Sequence, residues 1–385
     1  MFGADYGGAV CCTAKLTGDR IMALSYMRFA FLCPRRAPQS RAGYRVAVIG
    51  AGPAGLAAAG YLACRGYEVD VYDKQPYAGG LMIFGIPEWR IPRERVLDGV
   101  KELEEVFSVK FVLRTKVFEG EPRHDEGDEL AEKKVNLSDV VENYHAVVIT
   151  TGTWRSRHLK IPGWGARGAY TALDFVYKMR IYGLGFINEK PFMGKRVYII
   201  GAGLSAVDAA YEALRLGADE VTIAYRRTVK QAPAGVYELD RLRRLGAKMM
   251  ELVNPVEIIV EKNYVKGLKL QRMKLGAPDE TGRPRPIPVP GSEFVVEADT
   301  VIAAVGEIPT PPVEGAEVLK KLGVEIDDRG RIVVYEGGRT RNPKIFAAGD
   351  VVSGPSKVGP AIGSGLAMAR FLDRFLRAEG RAIAL

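Results

Sequence analysis

The sequence predicts an α/β protein with two doubly wound units, each built on a parallel sheet. The main observation is a strand, glycine turn and helix pattern that occurs twice, as VAVIGAGPAGLAAA at residues 46–59 and as VYIIGAGLSAVDAA at residues 197–210. A second strand follows each pattern and ends at Asp73 in the first case and at Arg226 in the second. The repeat therefore indicates one supersecondary module that is built twice in the chain.

The segments around the two patterns complete this α/β interpretation. Residues 146–150 predict a buried strand that ends at a ligand-facing turn, and the acidic stretch 121–134 predicts a solvated loop or hairpin. Residues 257–307 alternate in polarity around GRPRPIPVPGSEF, which favours an antiparallel meander. Residues 93–107 predict an amphipathic helix from the spacing of five apolar positions. These positions are Val96, Leu97, Val100, Leu103 and Phe107.

Composition excludes several classes of protein. The 385 residues are 47% hydrophobic and 26% charged, which is ordinary for a globular chain of two domains. No apolar run reaches the roughly 18–20 residues that span a bilayer. The apolar segment Ile21–Cys33 is interrupted by Arg28 and followed by arginines instead of a cleavage site, so we interpret it as an added strand of a cytoplasmic protein. Scarce glutamine indicates a thermophilic source.

The net charge of +9 raises the question of an acidic partner. The basic residues are scattered and no base-stacking motif accompanies them, so we predict no nucleic-acid binding. A solvated basic surface is one interpretation, and a docking face for an acidic protein is the other.

The first glycine turn reads G-x-G-x-x-G directly after a buried strand. Gly50 permits the tight turn, Gly52 allows close approach of a pyrophosphate, and Gly55 lets the helix lie against the strand. The helix N-terminus then faces the phosphates with free N–H groups. Asp73 ends the next strand, where an acidic residue accepts a bond from a ribose hydroxyl. This turn is typical of a site for the adenosine half of FAD.

The second turn differs at two points. It reads Gly201, Gly203 and Ala206, so an alanine that holds helix and strand slightly further apart replaces the third glycine. Its second strand ends in Arg226 and Arg227 instead of an acid. A guanidinium binds a 2′-phosphate through paired charge-assisted hydrogen bonds, whereas a carboxylate repels it. We therefore predict that this site prefers NADPH to NADH. The alternative is that both arginines merely face solvent and bind no phosphate.

Three other stretches support a flavin site in the first module. Residues 77–92, YAGGLMIFGIPEWRIP, bring Gly80 close to the cofactor, and ITTGT at residues 149–153 puts Gly152 at a strand end. Asp350 follows a strand at Gly349 and is predicted to bind a ribityl hydroxyl. Pro360 is predicted at the first position of the last helix, so that the N–H groups of Val358 and Gly359 stabilise negative charge on the reduced flavin.

These motifs resemble the glutamate synthase small-subunit family of FAD/NADPH oxidoreductases, which includes subunits of ferredoxin–NADP reductases and sulfide dehydrogenase-like proteins. The resemblance covers residues 44–385 and is most specific in GGLMIFGIPEWRIP, YRRT…APA and LGAPDETGRPRPIPVPGSEF…ADTVIAAVGEIP. It implies an FAD domain at residues 44–158 and 312–385, an inserted NADPH domain at 159–311 and an N-terminal extension at 1–43.

The site residues follow from the motifs and from this resemblance. Those expected to bind FAD are Gly50, Gly52, Pro53, Ala54, Gly55, Asp73, Lys74, Gly80, Leu81, Val117, Thr151, Gly152, Gly349, Asp350, Val358, Gly359 and Ala361. Those expected to bind NADPH are Gly201, Gly203, Leu204, Ser205, Ala206, Arg226, Arg227 and Gly306. Leu204 stands where relatives often have a polar residue, which leaves one pyrophosphate contact open.

The family usually carries an N-terminal domain with cysteine ligands for iron–sulfur clusters, and this chain largely lacks it. Cys64 falls on the first helix, so Cys11, Cys12 and Cys33 remain, whereas a [4Fe–4S] cluster normally takes four cysteines. We therefore predict no bound metal. Four cysteines are also too few for a disulfide framework in a chain of this length.

The resemblance implies hydride transfer from NADPH to FAD and onward electron transfer, with no acid–base residues needed. Ferredoxin or a glutamate synthase large subunit is the expected acceptor, within an oligomer. The alternatives are a thioredoxin-reductase-like enzyme, a flavin monooxygenase and a non-enzymatic scaffold subunit. A thioredoxin-reductase-like enzyme would need a C-x-x-C pair, which the sequence lacks.

Overall fold

The computed structural model describes residues 30–31, 42–279 and 282–383. The chain forms two compact units. One comprises the described residues up to Arg155 together with Ile308 onward, and the other is Ser156–Glu307. The second unit is thus inserted into the first, with short strands where the chain passes between them.

The first unit contains the following elements before the insertion: β1 Arg45–Ile49, α1 Pro53–Cys64, β2 Glu68–Tyr72, α2 Leu81–Phe84, α3 Arg93–Glu105, β3 Lys110–Val112, β4 Thr115–Val117, β5 Lys133–Val135, α4 Leu137–Asn143, β6 Ala146–Ile149 and β7 Arg155–Ser156, which reaches the boundary. The inserted unit contains β8 Ala169–Thr171, α5 Ala172–Gly183, β9 Arg196–Ile200, α6 Leu204–Arg215, β10 Glu220–Tyr225, α7 Val236–Arg244, β11 Lys248–Glu251, β12 Val253–Glu261, β13 Tyr264–Pro278, β14 Pro284–Glu297, β15 Thr300–Ala303 and β16 Glu307–Ile308, which reaches the second boundary. The first unit ends with α8 Ala316–Leu322, β17 Ile345–Ala347, α9 Asp350–Ser353 and α10 Val358–Ile383. Short 3-10 helices lie at Asp128–Leu130, Val229–Gln231 and Glu336–Gly338.

The first unit is organised around a parallel five-stranded sheet with the order β17-β6-β1-β2-β3. Strands β1 and β6 are apolar runs that the sheet and its covering helices bury almost completely, so neither shows the alternation of a half-exposed strand. Helix α1 packs closely against α10: a Cβ at Gly365 would lie 2.2 Å from the carbonyl oxygen of Ala54. The glycine turn therefore leaves the centre of the sheet at its carboxyl edge.

The inserted unit has a second parallel sheet with the order β11-β10-β9-β15-β8. Its glycine turn again follows a central strand, β9, which lies between β10 and β15. The antiparallel sheet β12-β13-β14 accounts for the predicted meander. Prolines at every second position of β14 from Pro284 to Pro290 are compatible with its place at the sheet edge, where outward N–H groups have no ladder partner.

The amphipathic helix at residues 93–107 is present as α3, with Val96, Val100 and Leu103 buried. The acidic stretch 121–134, predicted as a solvated loop or hairpin, is solvated only in part. Glu121, Glu129 and Glu132 are exposed, but Asp125 is buried, and the stretch contains a 3-10 helix and part of β5. Ion pairs of Asp125 and Asp128 with Lys116 of strand β4 permit this burial. The acidic composition of this stretch therefore did not predict which of its residues are exposed.

The last helix begins earlier than predicted. It starts at Val358, so Pro360 is its third residue and not its first. The first four N–H groups of a helix have no partner within the helix, so a proline at the third position costs no hydrogen bond. The predicted residues Val358 and Gly359 accordingly form the first turn of α10.

The N-terminal predictions fall mostly on residues outside those described. Cys11, Cys12 and Cys33 are among them, as is nearly all of the predicted added strand. Ala30 and Phe31 are described, are not in a strand, and place Phe31 against α1. A Cβ at Gly60 would lie 1.8 Å from the Phe31 carbonyl oxygen. Among the described helices, none is both long and apolar enough to cross a bilayer.

Candidate nucleotide-binding sites

The first glycine turn has the backbone that its sequence requires. Gly50 has a φ of 103°, and its N–H donates to the Tyr72 carbonyl at 2.8 Å. A Cβ on Gly50 would lie 2.5 Å from the carbonyl oxygen of Thr150, so the end of β6 occupies that space. Glycine is therefore needed here both for the positive φ and for the close approach of a neighbouring strand.

The other two glycines of this turn have different surroundings. A Cβ at Gly55 would lie 1.9 Å from the Gly50 carbonyl oxygen, so the helix rests directly on the turn. A Cβ at Gly52 would meet no heavy atom within 4 Å. Gly52 therefore borders open space at the N-terminus of α1, where the free N–H groups and the helix dipole favour an anion.

Two distant glycines border the same turn. A Cβ on Gly80 would lie 2.8 Å from the Gly52 Cα, and a Cβ on Gly349 would lie 2.7 Å from the Ala54 side chain. Both have positive φ, 54° and 76°. The structure thus brings three predicted stretches to the carboxyl end of β1, and Pro53 begins the helix there.

Asp73 is buried at the end of β2. Its carboxylate accepts hydrogen bonds from the N–H of Ala51 at 2.6 Å and of Gln75 at 2.8 Å. Burial raises the pKa of Asp73, and these two N–H groups partly oppose that rise. The Asp73 carboxylate is therefore hydrogen-bonded to the glycine turn itself, and backbone N–H groups set its orientation.

A cavity opens beside Asp73 in the first unit. It brings together five of the predicted residues, namely Gly50, Asp73, Lys74, Val117 and Thr151. Its other lining residues are Ile49, Thr115, Lys116, Phe118, Arg123, Asp125, Trp154, Thr310, Pro311 and Pro312. Sequence reasoning missed the contributions of Arg123, Asp125 and Trp154, because the first two lie in the stretch taken for a solvated loop.

Thr151 lines this cavity, and Gly152 is the next residue of the chain. The Thr151 hydroxyl donates to the Thr310 carbonyl at 2.7 Å. The Gly152 carbonyl accepts from the N–H of Thr310 at 3.0 Å and from its hydroxyl at 3.1 Å. A Cβ at Gly152 would meet nothing within 4 Å, so this glycine also borders open space.

Asp350 begins α9 after Gly349. Its carboxylate accepts from the Ser356 hydroxyl at 2.5 Å and from the Ser356 N–H at 3.1 Å, and burial raises its pKa. The N–H of Gly349 donates to the Ser364 hydroxyl of α10 at 3.0 Å. The two serines are further residues that the motif did not reveal.

The first turn of α10 contains Val358, exposed Gly359 and buried Ala361. A Cβ at Gly359 would meet nothing within 4 Å. Leu81 begins the short helix α2 directly after Gly80.

The second glycine turn repeats the backbone of the first. Gly201 has a φ of 126°, its N–H donates to the Ala224 carbonyl at 3.0 Å, and a Cβ on it would lie 2.3 Å from the Ala304 carbonyl oxygen. A Cβ at Gly203 would meet nothing within 4 Å. Ala206 is fully buried in α6. The open space at the helix N-terminus is therefore present in both turns.

The residues around the second turn carry their own side-chain contacts. Leu204 is the first residue of α6. Ser205 follows, and its hydroxyl donates to the Glu307 carboxylate at 2.9 Å. Gly306, with a φ of 111°, accepts from the Arg157 N–H at 2.8 Å.

The two arginines after β10 are not equivalent. Arg226 is exposed, whereas Arg227 is only 3% exposed. The Arg227 guanidinium donates to the Asp279 carboxylate and to the Pro284 carbonyl, both at 2.7 Å. Arg227 therefore departs from the prediction that both arginines bind a 2′-phosphate, because its charge is already paired within the unit. Successive residues of an extended chain point to opposite sides, so one arginine is exposed and the next is buried.

Comparison with known proteins identifies the family to which this chain belongs. The model of the family called pyridine nucleotide-disulphide oxidoreductase matches residues 44–365. The chain belongs to this family. The NADPH glutamate synthase small chains of Escherichia coli and Azospirillum brasilense are 38% and 32% identical to it over 84% and 90% of this chain, and the matches cover 66% and 70% of those proteins. The chain spans only 44–66% of the length of three of its relatives, among them the Escherichia coli small chain.

The fold is also similar to that of a solved oxidoreductase. The structure of FprA from Mycobacterium tuberculosis aligns with a TM-score of 0.70 at 21% identity, covering 88% of this chain and 86% of that one. The predicted family, oxidoreductase class and two-dinucleotide-binding-domain fold are therefore confirmed. The family also implies binding of FAD and NADPH, the two cofactors that the sequence predicts.

Proposed function

We propose that the chain moves reducing equivalents from NADPH through FAD to a protein acceptor, as the glutamate synthase small-subunit type of oxidoreductase. The observation that carries this proposal is the pair of glycine turns with the same backbone and opposite flanking charges. Asp73 follows the second strand of one unit, and Arg226 follows that of the other. An acid suits a ribose hydroxyl, and a guanidinium suits a 2′-phosphate.

The first unit fits FAD by its local geometry. Gly52, Gly152 and Gly359 each border space that a Cβ would enter without meeting protein. In this proposal the N–H groups at the start of α1 bind the pyrophosphate, Asp73 accepts a ribose hydroxyl, and Asp350 binds the ribityl chain. The first turn of α10 would stabilise negative charge with its N–H groups and dipole. Bound FAD supplies an acceptor for a hydride and a donor of single electrons.

The inserted unit fits NADPH in the same way. The space at Gly203 and the N-terminus of α6 would accept the pyrophosphate. Arg226 is exposed at the strand end, so we propose that this residue, and not Arg227, binds the 2′-phosphate. Gly306, at a positive φ, supports the prediction of a nicotinamide-side turn.

The acceptor is proposed to be a protein. The relatives named above are small chains of a larger enzyme, and the chain carries a net charge of +9. An acidic electron-transfer protein such as ferredoxin, or a larger catalytic subunit, would complement that charge. Oligomeric assembly, a cytoplasmic location and a thermophilic source stay predictions from the sequence.

The test is anaerobic mixing of the flavin-loaded protein with NADPH in a stopped-flow spectrometer. We expect the flavin absorbance near 450 nm to bleach rapidly with NADPH and much more slowly with NADH. A scaffold subunit would bleach slowly or not at all with either nucleotide. A monooxygenase is distinguished in a separate aerobic assay, in which it would consume oxygen in step with the hydroxylation of an organic substrate.

The acceptor is tested by capture of partners on the native protein, followed by NADPH-driven reduction of the captured material. Reduction of ferredoxin without binding of a larger subunit would reject the glutamate synthase form of the proposal and retain the electron-transfer form. Reduction of neither would reject both. Reduction of a disulfide protein would favour the thioredoxin-reductase alternative despite the missing C-x-x-C pair.

A further inference from the structure

We propose that the acidic loop, residues 121–132, is the wall that retains the adenosine half of FAD, with Asp128 as its positioning residue. The inference deepens the proposed function and rests on it. The loop connects β4 to β5, and Arg123 and Asp125 of this loop line the cavity beside Asp73. Its role is to hold in place the residues that follow the ribose-binding acid.

The acidic loop is attached to the segment directly after Asp73. The Lys74 ammonium donates to the Asp128 carboxylate at 2.8 Å and to the Glu126 carbonyl at 2.7 Å. The Gln75 side-chain amide donates to the Gly127 carbonyl at 2.6 Å. Asp73 itself accepts from the Gln75 N–H. Displacement of the loop would therefore change the position of the carboxylate that faces the ribose.

The acidic loop also packs on an aromatic wall of the cavity. A Cβ at Gly127 would lie 2.6 Å from the Trp154 indole ring, so the loop backbone rests directly on that ring. The Lys74 ammonium lies 4.7 Å from the centroid of the same ring. Gly127 has a φ of 86°, which favours glycine at this contact. Trp154 is thereby held between the loop and the end of β2.

Asp128 connects the acidic loop to both cationic neighbours. Its carboxylate accepts from Lys74, from Lys116 of β4 and from the N–H of Asp125, the last at 2.8 Å. Burial alone would raise the pKa of Asp128, but Lys74, the Asp125 N–H and Lys116 hold it below its ordinary value. Asp128 is therefore ionised at neutral pH, and its charge stabilises two partly buried lysines.

The other end of the acidic loop is fixed in a similar way. The Arg123 guanidinium donates to both oxygens of the Asp125 carboxylate, at 2.9 and 3.2 Å, and to the Pro311 carbonyl at 2.8 Å. Pro311 and Pro312 line the cavity with Trp154 and Phe118. Flat apolar walls beside a ribose-binding carboxylate are the chemistry that an adenine ring requires. FMN lacks adenosine and would leave this cavity empty.

The experiment compares Asp128→Asn with Glu129→Gln in the full-length protein from which flavin has been removed. Glu129 is the adjacent, exposed carboxylate of the same loop, so its variant is the matched control for lost charge. The Kd of FAD and of FMN is measured by flavin fluorescence titration. We expect Asp128→Asn to weaken FAD binding by about tenfold or more. FMN binding should stay within about twofold, and Glu129→Gln should resemble wild type for both ligands.

A second variant keeps the test valid if Asp128→Asn fails to fold. Lys116→Gln removes one cation from Asp128 and should weaken FAD binding in the same direction but by less, with NADPH binding as the check that the chain is folded. Equal losses for FAD and FMN would show a merely structural loop and overturn the inference. Wild-type FAD affinity in both variants would overturn it as well. A wild-type protein that takes up no FAD would instead overturn the proposed function, and the inference with it.

Discussion

The two glycine turns of this chain are alike wherever the backbone alone is involved. Gly50 and Gly201 both adopt positive φ, and both contact the carbonyl of a neighbouring strand end. Gly52 and Gly203 both border open space at a helix N-terminus. The same steric demands produce the same residue at the same place, and a helix N-terminus beside open space suits an anion without specifying which nucleotide carries it.

The turns differ at the third small residue and beyond the second strand. Gly55 has no room for a Cβ, whereas Ala206 already carries one. Asp73 is bonded to its own glycine turn, whereas Arg226 remains exposed. In the proposed function, the backbone of the turn binds the pyrophosphate, and the side chains outside the turn select the nucleotide.

The largest effect is expected from Gly55→Ala. The new Cβ would lie 1.9 Å from the Gly50 carbonyl oxygen, so helix α1 must move away from the turn. Such overpacking costs about 1–3 kcal/mol or more, and we expect a melting temperature lowered by several degrees together with loss of bound flavin. The matched variant Ala206→Gly in the other turn should cost only about 1 kcal/mol. Thermal unfolding and flavin content are measured for both variants. Equal losses in the two variants would contradict the expected difference between Gly55 and Ala206.

The second expected effect separates Arg226 from Arg227. Arg227→Ala leaves the partly exposed Asp279 carboxylate without this buried guanidinium, so we expect a loss of about 1.5–3 kcal/mol in stability. Arg226→Ala should leave the melting temperature unchanged and raise the KM for NADPH about tenfold, with little change for NADH. Steady-state kinetics and thermal melts of the two variants provide the test. If Arg227→Ala raised the KM for NADPH and Arg226→Ala did not, Arg227 would be the residue that binds the 2′-phosphate.

The third prediction concerns Gly52→Ala and Gly203→Ala. Both glycines have negative φ, −75° and −87°, and neither Cβ would meet protein. We therefore expect both variants to fold with unchanged melting temperature without cofactor. Each should weaken only its own nucleotide, FAD or NADPH, by about tenfold or more, because the methyl group enters the space proposed for phosphate. Unchanged Kd values would show that no nucleotide passes there.

The smallest effect is expected from the pH dependence of Asp73. Its raised pKa means that the folded chain disfavours the ionised form relative to the unfolded chain. The stability of the flavin-free protein should therefore fall as pH rises from the ordinary aspartate range through the raised pKa. Asp73→Asn should remove this part of the pH dependence. Urea unfolding of both proteins across that pH range measures this difference. If stability depended on pH in the same way in both proteins, Asp73 would not be the source of the pH dependence.

Much of the fold followed from local pattern. The apolar runs before Gly50 and Gly201 predicted two parallel sheets, and the spacing of Val96, Val100 and Leu103 predicted α3. These features depend on hydrophobic periodicity and on backbone sterics, which neighbouring residues determine. The start of α10 was less well predicted, because a proline is tolerated throughout the first turn.

The charged residues show the limit of that approach. The stretch around Asp125 and Asp128 was predicted to be solvated, and Arg227 was predicted to bind a ligand. In the structure Asp128 pairs with Lys74 and Arg227 pairs with Asp279, both partners being distant in the sequence. Asp125 pairs with Lys116 of the preceding strand β4. Whether a charge is exposed depends on an opposite charge brought by the tertiary structure.

The sequence by itself determined the two turns, the strands that carry them and the residues at their ends, because apolar patterning and turn residues within a short segment already specify them. Only the tertiary structure decided which of two adjacent arginines is exposed and that an acidic loop is folded onto Trp154. The physical reason is that burial of an ion is favourable only against a specific partner. The identity of that partner depends on the packing of distant segments.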